Sequence, residues 1–144
     1  MSNEHTVKSY EEELRYLIDS VIKMGSLTET QLIDSMDAVI KVDKDSIDKI
    51  IKSDDEINKF RSKIDTQIMT LLVKRAPMAI DLRETISSLK ISQDLERIGD
   101  LSKSNAKKVK PLPLDLPEEL LGNLKRLGDL VIKQLNDVLD SYVN

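Results

Sequence analysis

The sequence of 144 residues has no cysteine, no tryptophan, one histidine, one phenylalanine and three tyrosines, and only four glycines and four prolines. Without cysteine there is no disulfide, no thiolate nucleophile and no cysteine-based zinc site. So few aromatics argue against a β-sandwich, whose strands draw on aromatic and β-branched side chains. Scarce glycine and proline leave little material for tight turns, so the elements must be long and few. No charge sign dominates: 22 basic against 26 acidic residues give a net −4, which offers no support for nucleic-acid binding. No apolar run is long enough to cross a bilayer. The start of the chain carries Glu4, Glu11, Glu12 and Glu13 and does not read as a signal peptide. The expectation is one soluble, cytoplasmic protein that does not span a membrane.

What remains is aliphatic and charged, 40% apolar and 33% charged residues, and its periodicity is helical. Val7, Tyr10, Leu14, Leu17, Val21 and Met24 recur at alternating steps of three and four, and Leu32, Met36 and Val39 continue the stripe, predicting a helix from about Thr6 to Val42. A second helix runs from Asp45 or Ser46, residue types that suit an N-cap, to Arg75 through Ile47, Ile50, Ile51, Ile57, Ile64, Ile68, Leu71 and Leu72. Pro77 breaks the chain and suits the first turn of a third helix, which reaches about Val109 through Leu82, Ile86, Leu89, Ile91, Leu95 and Ile98. Pro111, Pro113 and Pro117 then make a stiff extended linker. A fourth helix follows on Leu120, Leu124, Leu127, Val131, Leu135, Val138 and Tyr142. Short connections near residues 43 and 76 force antiparallel neighbours. The fold class is all-α: an antiparallel three-helix bundle over 1–110, a linker over 111–117 and one amphipathic helix over 118–144. The bundle is complete without the fourth helix and the linker opposes an easy return. That stripe is therefore expected against another chain, in a homo-oligomer, with docking on its own bundle as the lesser alternative.

Glu96 and Asp100 stand four apart on the third helix and project from one face. Such a pair is either a solvated acidic patch or a set of oxygens for a hard cation. Asp54 lies 22 positions before residue 76 and Ile98 lies 22 after it, which puts Asp54 level with the Glu96–Asp100 pair. Asp54 also interrupts the apolar series Ile50, Ile51, Ile57, where a carboxylate is costly unless solvated, paired or metal-bound. Three carboxylates at one level repel each other, a bound cation relieves that repulsion, and Asn58 adds an oxygen one turn on. All-oxygen donors suit Mg²⁺, Mn²⁺, Ca²⁺ or oxidised iron. Against this, Leu82, Ile86 and Leu89 mark one face of the helix and Ile91, Leu95 and Ile98 roughly the opposite one. If the latter meets the core, the acids sit on an outer rim. Gly99 permits close approach of a neighbouring helix or a ligand. Lys103, Lys107, Lys108 and Lys110 complement the negative end of the helix dipole, with an acidic partner surface or anionic lipid as the sharper alternative. His5 is not expected to be a ligand.

The stretch Asp94-Leu95-Glu96-Arg97-Ile98-Gly99-Asp100 resembles the signature of the PhoU family, accessory regulators of phosphate-specific transport. Further matches occur in order at Met24-Gly25, at Ser53-Asp54 with Ile57-Asn58, and at Lys74-Arg75, Pro77 and Asp81-Leu82-Arg83. The resemblance implies tandem three-helix repeats, of which this chain has the first and the opening helix of an incomplete second, two helices short. It also implies metal ions or multinuclear iron clusters at the acid motifs. The implied partners are the ATPase of the phosphate ABC transporter and, where present, a phosphate-sensing histidine kinase, with repression of phosphate-starvation genes as the outcome. Asp81 and Arg83 match the family's Asp-Leu-Arg element and are expected to meet partners. They lie about 22 Å along the helix from Glu96 and cannot share its site. An enzyme is disfavoured: there is no Glu-x-x-His pair for a di-iron centre, no Ser/His/Asp arrangement and no glycine-rich phosphate loop. The alternative to the regulator is a structural or dimerising bundle.

Overall fold

The computed structural model of the protein describes residues 2–143, with side chains over 8–143. The expectations on Val7 and His5 lie outside the described side chains. The described residues form four helices: α1 Ser2–Lys41, α2 Ile47–Arg75, α3 Ala79–Lys107 and α4 Glu118–Val143. At 1.5 Å per residue α1 is about 60 Å long; α2 packs antiparallel to α1 and to α3, and α3 lies against α1 running parallel to it.

The two tight connections close on backbone chemistry. Val42 takes a left-handed φ of 51° at the end of α1; its N–H donates to Val39 O and the next, from Asp43, to Ala38 O at 2.9 Å. That is a Schellman closure with a β-branched residue where glycine is usual. Burial of Val42 against Ile47 and Val109 offsets the strain. Ser46 is the N-cap residue of α2, as expected, but its hydroxyl caps no amide of the helix; it donates instead to the carboxylate of Asp43, which also accepts the N–H groups of Asp45 and Ser46 and fixes the turn. Pro77 precedes α3 instead of opening it, because Met78 is extended and the chain re-enters the helix only at Ala79.

The core is asymmetric. α1 contributes Leu14, Leu17, Val21, Met24 and Leu32, and α2 contributes Ile57, Ile64, Ile68 and Leu71, but α3 contributes Leu95 alone. The buried face of α3 is instead Thr85, Ser88, Ser92, Leu95, Gly99, Ser102 and Ala106. Small side chains let α3 lie close to its neighbours. Their hydroxyls are satisfied locally, Thr85 by Asp81 O, Ser92 by Leu89 O and Ser102 by Ile98 O, each at 2.8 Å.

α4 corrects an expectation. It docks on α1 of its own bundle, running antiparallel to it, with Leu139 at Gly25 and Gly128 at Met36. A Cβ at Gly25 would come within 2.5 Å of Leu139 Cδ2, so the missing side chain sets the approach. The linker does not prevent this return, because Leu112 and Leu116 pack on the Val42–Ile47–Val109 cluster and pin it to the end of the bundle. Of the expected stripe, Leu135 is buried and Leu124 and Tyr142 are half-buried, whereas Leu120, Leu127, Val131 and Val138 stay exposed. α4 is apolar on two adjacent faces, and the docked one also includes Ile132 and Leu139. Leu135→Ala is expected to weaken this docking by about 2–5 kcal/mol. In hydrogen exchange the amides of α4 should then lose protection while those of α2 and α3 keep theirs.

Candidate functional site

Among the described residues one carboxylate has no exposure to solvent. Asp54, on α2, points between α1 and α3 and is fully buried. Its Oδ1 accepts from Gln31 Nε2 of α1 at 3.0 Å; its Oδ2 accepts from Asn58 Nδ2 at 3.3 Å and from Lys103 Nζ of α3 at 2.5 Å. Gln31 Nε2 also donates to Gly99 O at 2.9 Å, tying all three helices to one polar node. Gly99 is needed here: a Cβ would stand 3.2 Å from Ile57 Cδ1 and 3.3 Å from Asp54 Oδ1. The second amide atom, Gln31 Oε1, is buried without a hydrogen-bond partner. The bond to Asp54 holds the Lys103 ammonium above its ordinary pKa against the opposing pull of desolvation, and Asp100 adds to it.

Asp54, expected level with Ile98, lies beside Gly99 one residue further on, and the acids of α3 flank that position. Leu95 and Gly99 face the core, while Glu96 and Asp100 sit on the rim with side chains 39% and 54% exposed. Glu96 Oε2 is 3.2 Å from Arg61 Nε, an ion pair by distance but without hydrogen-bond geometry, and Arg61 also pairs with Asp65. Asp100 Oδ1 lies 3.7 Å from Lys103 Nζ. The structure therefore joins Asp54 and Asn58 and links Asp100 to them through an ammonium, while Glu96 turns to Arg61. Among the described residues no three His, Cys, Asp or Glu side chains are grouped to hold a metal ion. The donor set as it stands does not fit one, because Lys103 and Arg61 already meet its charges.

Three participants escaped the sequence reading. Gln31 carried a weak signal, a polar residue within the apolar series of α1. Lys103, read as a complement to the helix dipole, stands 27 positions after residue 76 and so lies beyond the level of Asp54. Helical side chains lean toward the N-terminus, and its long stem carries the ammonium back to Gly99. Arg61 gave no signal.

Asp81 lies in the first turn of α3, half-buried, and Arg83 is exposed. Burial, with the charge of Asp81 behind it, holds the Tyr10 phenol above its usual range. At the same end of the bundle Arg75 ties α2 to α1, gripping Glu13 at 2.9 and 3.2 Å and donating to Ser9 Oγ at 2.8 Å. The bond to Arg75 keeps the Glu13 carboxyl below the ordinary carboxylate range. A lowered folded-state pKa adds stability above the ordinary value and loses it as pH falls through the folded one. Glu13→Gln should accordingly be less stable than the wild type near pH 6, and the gap should narrow in urea titrations as pH falls below the ordinary carboxylate range.

A helical bundle with this acid motif has known relatives. Residues 21–109 match the family model described as the PhoU domain, and the chain belongs to that family. It is 39% identical over 140 residues to the phosphate-specific transport system accessory protein PhoU homolog of Caulobacter vibrioides, covering 96% of this chain and 61% of that one. To the homolog of Rhizobium meliloti it is 37% identical over 145 residues, covering 100% and 61%. The chain spans about three fifths of the length of these curated relatives. The crystal structure of the phosphate transport system regulatory protein PhoU from Streptococcus pneumoniae superposes with a TM-score of 0.83 at 32% identity, over 92% of this chain and 62% of that one.

Proposed function

We propose that this chain acts as a non-catalytic cytoplasmic regulator of phosphate uptake, contacting the ATPase of a phosphate ABC transporter or a phosphate-sensing histidine kinase and restraining the phosphate-starvation response. The observation that carries the reading is the likeness, over nearly the whole chain, to relatives named as accessory proteins of phosphate-specific transport systems. The site agrees with an adaptor. Its acids are committed to Lys103 and Arg61 rather than converging on a space for a reacting group. No described helix is long and apolar enough to cross a membrane, so contact with a transporter would be made from its surface. The partner-facing end is the tip joining α2 and α3, where Val73, Met78 and Ile80 are exposed beside Asp81 and Arg83.

A second reading, a self-associating bundle, is favoured by the outer stripe of α4, where Leu127 and Val138 are about three-fifths exposed. Size-exclusion chromatography with light scattering separates the two. The regulator co-elutes with the purified transporter ATPase or kinase, whereas a bundle that only self-associates forms a dimer alone and ignores both.

A further inference from the structure

We propose that the ammonium of Lys103 is the resident cation of the acid site, standing between Asp54 and Asp100 where a divalent metal would sit, so that this repeat assembles without metal and acquires a divalent-cation site when the ammonium is removed. The inference does not depend on the regulatory reading above; it rests on the geometry of the node alone.

Lys103 Nζ is 2.5 Å from Asp54 Oδ2 and 3.7 Å from Asp100 Oδ1, a position shared by two carboxylates from different helices. Asn58 Nδ2 approaches the same Asp54 oxygen at 3.3 Å, and Gln31 holds the other. The fully buried Gln31 meets Asp54 through Nε2, and its Oε1 has no hydrogen-bond partner to hold the amide in that orientation. Both amides turn their nitrogens to Asp54, so once the ammonium is gone the donor set for Mn²⁺, Mg²⁺ or Ca²⁺ is the two carboxylates, with the amide oxygens of Asn58 and Gln31 added by a flip of each group. An ammonium and a divalent ion cannot share the place, because like charges repel and Lys103 is tethered at high effective concentration. Lys103 is itself 26% exposed, so removing its stem opens the position to hydrated ions. Arg61 meets Glu96 in the same way, leaving neither acid of the pair without a protein cation.

The test uses the full chain, freed of metal with EDTA, and Mn²⁺ as the probe. Binding is read from loss of the free Mn²⁺ paramagnetic resonance signal and from the melting temperature. Wild type is expected to leave both unchanged. Lys103→Ala is expected to bind one Mn²⁺ per chain and to melt higher with it, and Lys103→Ala combined with Asp54→Asn to bind none. Wild-type binding that Asp54→Asn abolishes would overturn the proposal. So would a helical Lys103→Ala chain that takes up no Mn²⁺, or one that binds it regardless of Asp54. Should Lys103→Ala be unfolded without metal, recovery of helicity on adding Mn²⁺ supports the proposal and failure to recover overturns it.

Discussion

Lys103→Ala is expected to destabilise the fold by about 3–5 kcal/mol, and Asp54→Asn by only about 1–3 kcal/mol. The pair is unequal because its members differ in their routes to water. Asp54 is fully buried on the inner face of α2, so without Lys103 its charge stays in the core with only two amide donors. Lys103 is 26% exposed and can swing its ammonium into solvent when the carboxylate is neutralised. Asn at 54 still accepts from Gln31, which limits the loss. Urea unfolding at constant m-value measures both variants, and the double mutant should show strong coupling because the two act as one unit. A larger cost for Asp54→Asn than for Lys103→Ala would contradict this account.

Ile57→Ala is expected to cost about 2–5 kcal/mol, in the upper range for a core aliphatic deletion. Ile57 is fully buried and fills the space that Gly99 leaves open, with Cδ1 and Cγ2 at 3.2 and 3.4 Å from where a Cβ would be. Truncation opens a cavity beside the polar node, and neither the glycine backbone nor the hydrogen-bonded Asp54 can move in to close it. Val138→Ala, at a more exposed position of α4, is the control and should fall within about 0.5 kcal/mol of wild type. Thermal or urea unfolding of the two variants separates a packed contact from an exposed one.

Much of this architecture was legible because helical periodicity is a strong signal when side chains are large. The isoleucines of α2 mark its buried face, and Asp54 stood out as a carboxylate among them. Counting from the turn also put Asp54 within one residue of its true level. α3 was harder, since a helix that buries Thr85, Ser88, Ser92, Gly99, Ser102 and Ala106 shows no hydrophobic stripe, and its larger side chains Leu89, Ile91 and Ile98 pack on the core only half-buried, from either side of that small-residue face. The node was legible from its acids but not from its cations. Acid pairs are recognised by spacing along one helix, whereas Lys103 and Arg61 reach across to another. α4 failed for a different reason. It carries two apolar faces, and the recesses at Gly25 of α1 and Gly128 of α4, filled by Leu139 and Met36, mark the one that docks.

The central claim, that the chain recognises a phosphate transporter's machinery without catalysing a reaction, is tested most directly by calorimetric titration of the folded protein into the transporter's ATPase subunit. The account predicts saturable binding that the exposed substitution Arg83→Glu weakens while leaving helicity intact. No heat of binding to the ATPase or to the sensor kinase, from a chain that retains its helical circular dichroism, would contradict it.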